Sequence, residues 1–245
     1  MTTSSETSDS FRASTVLFDL DGTLTDSAPG IWAGFRHAMA SVGRPEPTTA
    51  MLSTVVGPPL LESFLGFGLD HAVAEQAVAA YRARYDDRGW AENAVFDGID
   101  AALAELHEAG VTLALATSKN EMFAHRILEH FGLADYFTVI AGATADGSRQ
   151  SKADVIAHAL AGTGYAPTAA ARGGTSGVVI VGDRVHDVEG AAVWGIPAVF
   201  VEWGYGPAAE SAGARWTVPT VAEMSSLLRT ITSESVRVDD GWSVS

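Results

Sequence analysis

Cysteine is absent from the 245-residue chain, which excludes a disulfide framework, a thiolate metal site and a cysteine nucleophile. Basic residues are scarce: 15 Lys and Arg stand against 30 Asp and Glu, a formal net charge of −15. Such a chain repels nucleic acid and anionic membranes unless its basic residues cluster locally, and the sequence holds no such cluster. No apolar run approaches the roughly 18 residues needed to span a bilayer. The longest, around residues 111–116 and 197–201, are strand-sized. The first dozen residues lack the apolar stretch of a secretory leader, and neither a Gly-x-Gly-x-x-Gly turn after a strand nor a Gly-x-x-x-x-Gly-Lys-Ser/Thr loop is present, which disfavours a nucleotide cofactor. These absences predict a soluble, cytoplasmic protein with neither a nucleic-acid polymer nor a membrane as partner. What is there suffices for a core, with 47% hydrophobic and 9% aromatic residues, and at roughly 100–200 residues per domain the length allows one main domain carrying a smaller one.

The apolar runs are short and regularly spaced. Residues 16–20, 111–116, 136–140, 178–181 and 198–201 read as buried strands, rich in β-branched or aromatic side chains. Between them lie helical spacings ending at glycine: Ile99, Leu103 and Leu106 before Gly110; Ile127, Leu128 and Phe131 before Gly132; Val155, Ile156, Ala159 and Leu160 before Gly162. Strand, helix, strand repeated in this way predicts an α/β fold, a doubly wound parallel sheet with its site at the carboxyl ends of the strands. The stretch 27–95 breaks the rhythm, because no convincing strand appears in it. Ile31, Phe35, Met39 and Val42 form one helical face, and Val73, Ala77, Tyr81 and Arg84 another. It predicts a helical insertion lying over the site. The expected division is a disordered tail at 1–12, a core at 13–26 and 96–232, a helical cap at 27–95 and a loose tail at 233–245, with a mobile loop at 162–177.

Four constellations follow the predicted strands. Asp19 and Asp21, two apart on extended backbone, can face one pocket. Facing carboxylates repel, and such a pair persists where a cation neutralises it or one member keeps its proton. Read alone, Asp-x-Asp-Gly is equally a strand end with a turn at Gly22. Thr117, Ser118, Lys119 and Asn120 follow the second run, where a hydroxyl and unpaired N–H groups at a helix start make an anion cradle; Ser118 or Asn120 is also an ordinary helix cap. Lys152 opens a helix at the end that disfavours cations, so something negative should compensate, although a single lysine is most often solvated. Asp183 and Asp187 fall after the very hydrophobic run 178–181, where a hard cation such as Mg²⁺ can be held through carboxylates; Asp187 is alternatively a helix N-cap, and His186 a loop residue. Turns and caps explain each piece, but not why all four arrive in order at equivalent strand ends.

Residues 16–228 resemble the haloacid dehalogenase-like superfamily, and within it the phosphatases akin to phosphoglycolate phosphatase. The run from Phe18 through Asp19, Asp21, Gly22 and Thr23 to Leu24 matches the superfamily's opening motif, Thr117 its second, Lys152 its third, and Gly182-Asp183 with Asp187 its fourth. Only the interval from Asp19 to Thr117 can hold a sizeable cap. Gly182-Asp183-Arg184-x-His186-Asp187, Gly57-Pro58-Pro59-Leu60 and Lys152 followed by Ala153 look more like the branch described as 5′-nucleotidase-like. Thr-Ser-Lys at 117–119 and Lys-Ala at 152–153 depart from the Thr-Asn-Lys and Lys-Pro of typical phosphoglycolate phosphatases.

The resemblance implies a Mg²⁺-dependent phosphatase for a small phosphorylated metabolite. Asp19 would be the nucleophile forming an aspartyl-phosphate, and Asp21 the acid that then activates water. Asp19, the Asp21 carbonyl, Asp183 and Asp187 would hold the metal, while Thr117 and Lys152 hold phosphoryl oxygens and Thr23, Ser118 and Lys119 contact substrate. A dehalogenase is disfavoured by Asp21, since halide leaves without a proton. A β-phosphoglucomutase-like transferase and a catalytically silent binding module on the same fold stay open as alternatives. In the cap, Arg36, His37, Arg44, Arg82, Arg84 and Arg88 could each reach a substrate anion, and none is singled out. A monomer or small homo-oligomer is expected.

Overall fold

The computed structural model describes residues 10–234 and 236–237. The chain divides into two compact units, one comprising the residues up to Leu24 and from Val95 onward, the other Thr25–Ala94. In chain order the elements begin with β1 (Ser10–Phe11), β2 (Thr15–Phe18) and β3 (Thr25–Asp26), followed by helices α1 (Ala28–Ser41), α2 (Thr49–Leu52), α3 (Leu60–Gly66) and α4 (His71–Asp87). After β4 (Ala94–Val95) come α5 (Ile99–Glu108), β5 (Thr112–Asn120), α6 (Glu121–His130), β6 (Val139–Ala143), α7 (Lys152–Gly162), β7 (Val178–Gly182) and α8 (Val185–Val193). The chain then runs through β8 (Ala198–Val201), β9 (Trp216–Val218), α9 (Val221–Ser233) and β10 (Val236–Arg237).

Six strands of the first unit form one parallel sheet in the order β6-β5-β2-β7-β8-β9. The order reverses at β2, so loops leaving β2 and its neighbours β5 and β7 open into one crevice at their carboxyl ends, the usual place for a ligand in a doubly wound sheet. Every residue of β2 and β7 is buried, as parallel strands covered on both faces must be. Leu17 and Ile180 point into a cluster with Val155, Ile156 and Leu160 of α7 and Val188 and Ala191 of α8. Their neighbours Val16, Phe18, Val179 and Val181 point to the opposite side and are buried as well. At about 1.5–3 kcal/mol for each large apolar side chain taken out of water, these two layers are what hold the strand ends in register.

Helix starts are written locally. Ser151 caps α7 by accepting from the Asp154 amide at 3.1 Å, Asn120 caps α6 by accepting from Met122 at 3.1 Å, and Thr220 caps α9 by accepting from Glu223 at 3.2 Å. In the second unit Asp70 caps α4 through the Val73 amide at 3.0 Å. Phe35 of α1 is the centre of that unit, with ring centroids 4.6 Å from Phe64 and 5.3 Å from Tyr81. Among the arginines of that unit, Arg36 pairs with Glu46 and Arg84 with Glu92, each at 2.8 Å.

The structure corrects several expectations. The strand placed at 136–140 begins at Val139, because Ala134–Tyr136 is a single tight turn closed by the Phe137 amide on the Ala134 carbonyl at 3.1 Å. Strand β5 does not stop at Ala116 but continues to Asn120 through a register shift against β6. Ala94–Val95, in the stretch read as strandless, pairs with Thr25–Asp26, and the three-residue β9 is additional. Parts of the expected tails are ordered: Ser10–Phe11 pairs antiparallel with Val236–Arg237, and Ser233 ends α9. The remainder of those tails, residues 1–9, 235 and 238–245, lies outside the described residues. Within 162–177 the buried Thr175 donates to the Thr168 carbonyl at 3.3 Å and accepts from its amide at 3.1 Å, so the loop has internal ties. Among the described residues, no helix is long and apolar enough to cross a membrane.

Candidate active site

The Asp19 amide donates to the Val181 carbonyl at 2.9 Å, which carries the β2–β7 pairing one residue beyond β2 and fixes the aspartate at the mouth of the sheet. The chain then turns, with the Leu24 amide donating to the Leu20 carbonyl at 2.9 Å. The turn requires Gly22, whose φ is +86°; a side chain there would be strained, and its Cβ would collide with the Asp183 carboxylate. Beyond the turn, the buried Thr23 hydroxyl donates to Asp183 Oδ1 at 3.3 Å. Trp203 Nε1 donates to the Thr23 carbonyl at 3.2 Å and holds the loop from outside.

Asp183 follows β7 and is fully buried. Its Oδ2 accepts from the Tyr205 amide at 2.7 Å. Gly204, beside that amide, also has no room for a Cβ, because it lies against the Asp183 side chain. Asp187 is in the first turn of α8 rather than in the loop the sequence suggested. Its Oδ2 accepts from the Arg184 amide at 3.1 Å, so the capping role and a site role coexist in one carboxylate. Side-chain oxygens of Asp19, Asp183 and Asp187 lie within 4.8 Å of one another.

Lys152 finds in Asp187 and Asp19 the compensation its place at a helix start called for. Its side chain is 5% exposed, with Nζ 2.6 Å from Asp187 Oδ1 and 2.8 Å from Asp19 Oδ1. It also donates to the Ala116 carbonyl at 2.8 Å, which anchors the ammonium to the end of β5. Burial would lower the Lys152 pKa, but the Asp187 and Asp19 charges outweigh it and the group is held above its ordinary value. Three carboxylates against one ammonium leave an excess of buried negative charge. Burial first, then the charges of Asp19 and Asp187, push Asp183 up to about 7. Burial also raises Asp187, against the pull of Lys152.

That excess is a test of fit for a metal. An all-oxygen donor set with uncompensated negative charge suits a hard divalent cation, and ligand oxygens of the three buried aspartates lie within 4.8 Å of one another. Asp19, Asp183 and Asp187 fit the group; the Asp21 carboxylate is not among them. Asp21 turns to Lys119 instead, with Nζ donating at 2.7 and 3.0 Å to its two oxygens. The resemblance gave the metal the Asp21 carbonyl, which this arrangement leaves in the turn.

Thr117, Ser118 and Lys119 lie on the bulged end of β5 and not on a helix start; the helix begins after Asn120. The cradle of free amides expected there is therefore smaller, since the Lys119 amide already donates to Thr117 Oγ1 at 3.2 Å. That bond uses an acceptor site of the buried Thr117 hydroxyl and leaves its hydrogen to donate. Ser118 is exposed. Asp19, Lys152, Asp183, Asp187 and Thr23 are thus joined by direct contacts, with Asp21 and Lys119 as a second pair. His186 is exposed on α8.

Three contributors escaped the sequence reading. Tyr205 acts through its backbone and Trp203 through its indole, neither of which has a motif. Glu210 accepts from Arg184 Nε and from the Val185 amide, each at 2.9 Å, and so serves the start of α8 from a distant turn. One signal was available for the lysines: the chain has only two, Lys119 and Lys152, and both end on carboxylates here.

Residues 16–201 match the family model described as haloacid dehalogenase-like hydrolase. The tyrosine-protein kinase PtkA of Mycobacterium tuberculosis is 54% identical over 193 residues, covering 79% of this chain and 63% of its own. The chain thus spans less than two thirds of the length of that relative. A solved structure of the M. tuberculosis protein tyrosine kinase A superposes with a TM-score of 0.75 at 49% identity, over 89% of this chain and 99% of the other. A 5′-nucleotidase of Pseudomonas aeruginosa is 41% identical over 196 residues, 80% of this chain and 85% of its own.

Proposed function

Because the chain belongs to the haloacid dehalogenase-like hydrolases, we propose that it is a Mg²⁺-dependent phosphatase of small phosphomonoesters, of the 5′-nucleotidase-like or phosphoglycolate phosphatase-like kind, working through an aspartyl-phosphate. One observation carries the reading: three buried carboxylates, two just past strand ends and one on the first turn of α8, meet within 4.8 Å, with a buried lysine spanning two of them. A silent module has no reason to bury that much like charge.

Asp19 would be the nucleophile. Its carboxylate oxygen bonds to phosphorus as the ester oxygen departs, and Asp21 gives that oxygen a proton. Water then attacks phosphorus, the Asp19–phosphorus bond breaks, and Asp21 takes the proton back. Covalent catalysis divides one difficult displacement into two, and general acid–base help is worth about 10²–10⁴-fold. Asp19, Asp183 and Asp187, with the Asp21 carbonyl, would hold Mg²⁺, which supplies charge neutralisation so that an anionic nucleophile can approach a phosphate. The Thr117 hydroxyl and the Lys152 ammonium would meet the equatorial oxygens, where charge spreads during transfer. Ser118 is at hand for substrate only at the surface.

A second reading is favoured by the 54% identity to a tyrosine-protein kinase: the same aspartate chemistry with a tyrosine hydroxyl, rather than water, accepting the phosphoryl group. Both are tested together. The protein is assayed for phosphate release from nucleoside monophosphates, phosphoglycolate, sugar phosphates and phosphotyrosine with Mg²⁺ or EDTA, and for phosphorylation of tyrosine peptides from ATP. Phosphate release that disappears with EDTA and with Asp19→Asn supports the phosphatase. Peptide labelling without phosphate release supports transfer, and neither signal with metal present rejects both. Localisation to the cytoplasm, a monomer or small homo-oligomer, and the absence of nucleic acid or membrane partners remain part of the proposal.

A further inference from the structure

We infer that Lys119 is a positioning residue that fixes the Asp21 carboxylate for proton transfer, and that a lysine stands there for this purpose rather than to grip phosphate. The inference rests on the phosphatase reading and deepens it by assigning a residue that reading leaves as a substrate contact. Nζ of Lys119 reaches both oxygens of Asp21, at 2.7 and 3.0 Å, so the carboxylate is held by its two ends and not by one. The pair is well covered, with the lysine side chain 10% and the aspartate 22% exposed. Lys119 is itself fixed at its root: its amide donates to Thr117 Oγ1 at 3.2 Å, on the bulge that ends β5. The bulge is what turns residue 119 toward the loop after β2, because Asn120 resumes pairing with Ala143 only after the register has shifted.

Composition points the same way. Thirteen of the fifteen basic residues are arginines, and the two lysines each close on a site aspartate. Lys152 spans Asp19 and Asp187, while Lys119 closes on both oxygens of Asp21. The two ammonium groups therefore divide the work. One compensates the buried acids; the other orients the group that gives and receives the proton. Misplacing a reacting group by about 1 Å can cost about 10²-fold in rate, so loss of this clamp should appear in steps that need the Asp21 proton and spare those that do not.

The experiment compares two substrates with Mg²⁺ present. Glycerol 2-phosphate needs a proton on its leaving alkoxide, whereas p-nitrophenyl phosphate departs as a stable phenolate. In Lys119→Met, turnover of glycerol 2-phosphate should fall at least about 10-fold further than that of p-nitrophenyl phosphate. The same discrimination should appear in Asp21→Asn, the double variant should be no worse than Asp21→Asn alone, and Lys119→Arg should recover part of the loss. Equal losses on the two substrates, additive effects with Asp21→Asn, or faster turnover of glycerol 2-phosphate overturn the inference. A rise in KM on both substrates without discrimination would return Lys119 to the substrate-contact role. Wild-type protein that releases phosphate from neither substrate overturns the phosphatase reading, and the inference with it.

Discussion

Lys152 Nζ lies 2.6 Å from Asp187 Oδ1, and both side chains are almost wholly removed from solvent. The contact ties the first residue of α7 to the first turn of α8, so the two helices on one face of the sheet are joined through the site itself. Removing one partner of a buried ion pair typically costs about 3–5 kcal/mol, because the other charge is stranded. Lys152→Met should therefore lower stability by about that amount in urea unfolding of metal-free protein. Added Mg²⁺ should restore more stability in the variant than in the wild type, since the acids it leaves behind gain the most from a cation. A variant as stable as wild type without metal would remove Lys152 from this role.

Asp183 gives the pH dependence a definite sign. Its carboxyl is raised from 3.8 to about 7, by burial first and then by Asp19 and Asp187. The folded metal-free protein thus holds a proton that the unfolded chain has already released, and that excess favours the fold at low pH. As pH rises from about 4 to about 7 the contribution is lost. The urea midpoint of EDTA-treated protein should fall between pH 5 and pH 8 through this group, and Asp183→Asn should flatten that part of the profile. Divalent ions should bind more weakly below pH 7, where the proton competes with the metal. A midpoint whose slope with pH is the same in the variant would contradict the assignment.

Gly22 has two reasons to be glycine, a φ of +86° and a Cβ position occupied by the Asp183 carboxylate. Gly22→Ala should cost about 1–3 kcal/mol in backbone strain. The heavier effect should fall on the metal, since Asp183 must shift to admit the methyl group, and disturbing a ligand's surroundings costs about 10–100-fold in affinity. Titration calorimetry with Mg²⁺ reads this directly. Unchanged affinity in a folded variant would mean that the turn and the acid are not coupled as described.

The sequence displayed what depends on pattern and hid what depends on approach. Val178 to Val181 reads as a buried strand because four β-branched residues in a row have no other good use, and the structure has a fully buried strand there. Lys152 was legible because a cation at a helix start is an electrostatic anomaly, and Asp187 and Asp19 resolve it. Tyr136 was misread because an aromatic side chain suits a strand, whereas it ends a tight turn with its hydroxyl on Asp100 at 3.0 Å. The Tyr205 amide that holds Asp183 could not be read at all, because every residue but proline has one and only the fold decides where it points.

Glu210 supports the site from outside it. Its carboxylate accepts from Arg184 Nε and from the Val185 amide, each at 2.9 Å, so it completes the start of α8, on whose first turn Asp187 stands. The hydrogen bond from Arg184 leads in holding the Glu210 carboxyl below its ordinary 4.5, against a smaller opposing effect of burial. The folded state therefore binds this proton less readily than the unfolded chain, and the stabilisation is complete above about pH 4.5 and lost as pH falls further. Glu210→Gln keeps the shape but removes the charge, and should cost about 0.5–2 kcal/mol near neutral pH, the range measured for lost helix caps. It should also shift Asp187 enough to lower Mg²⁺ affinity, while leaving Asp19 and its hydrogen bond to Val181 in place. Stability curves of the two proteins should converge in acid, once the wild-type glutamate has taken up its proton in the folded state as well. Curves that stay parallel through acid would show that the charge of Glu210 contributes nothing to the start of α8.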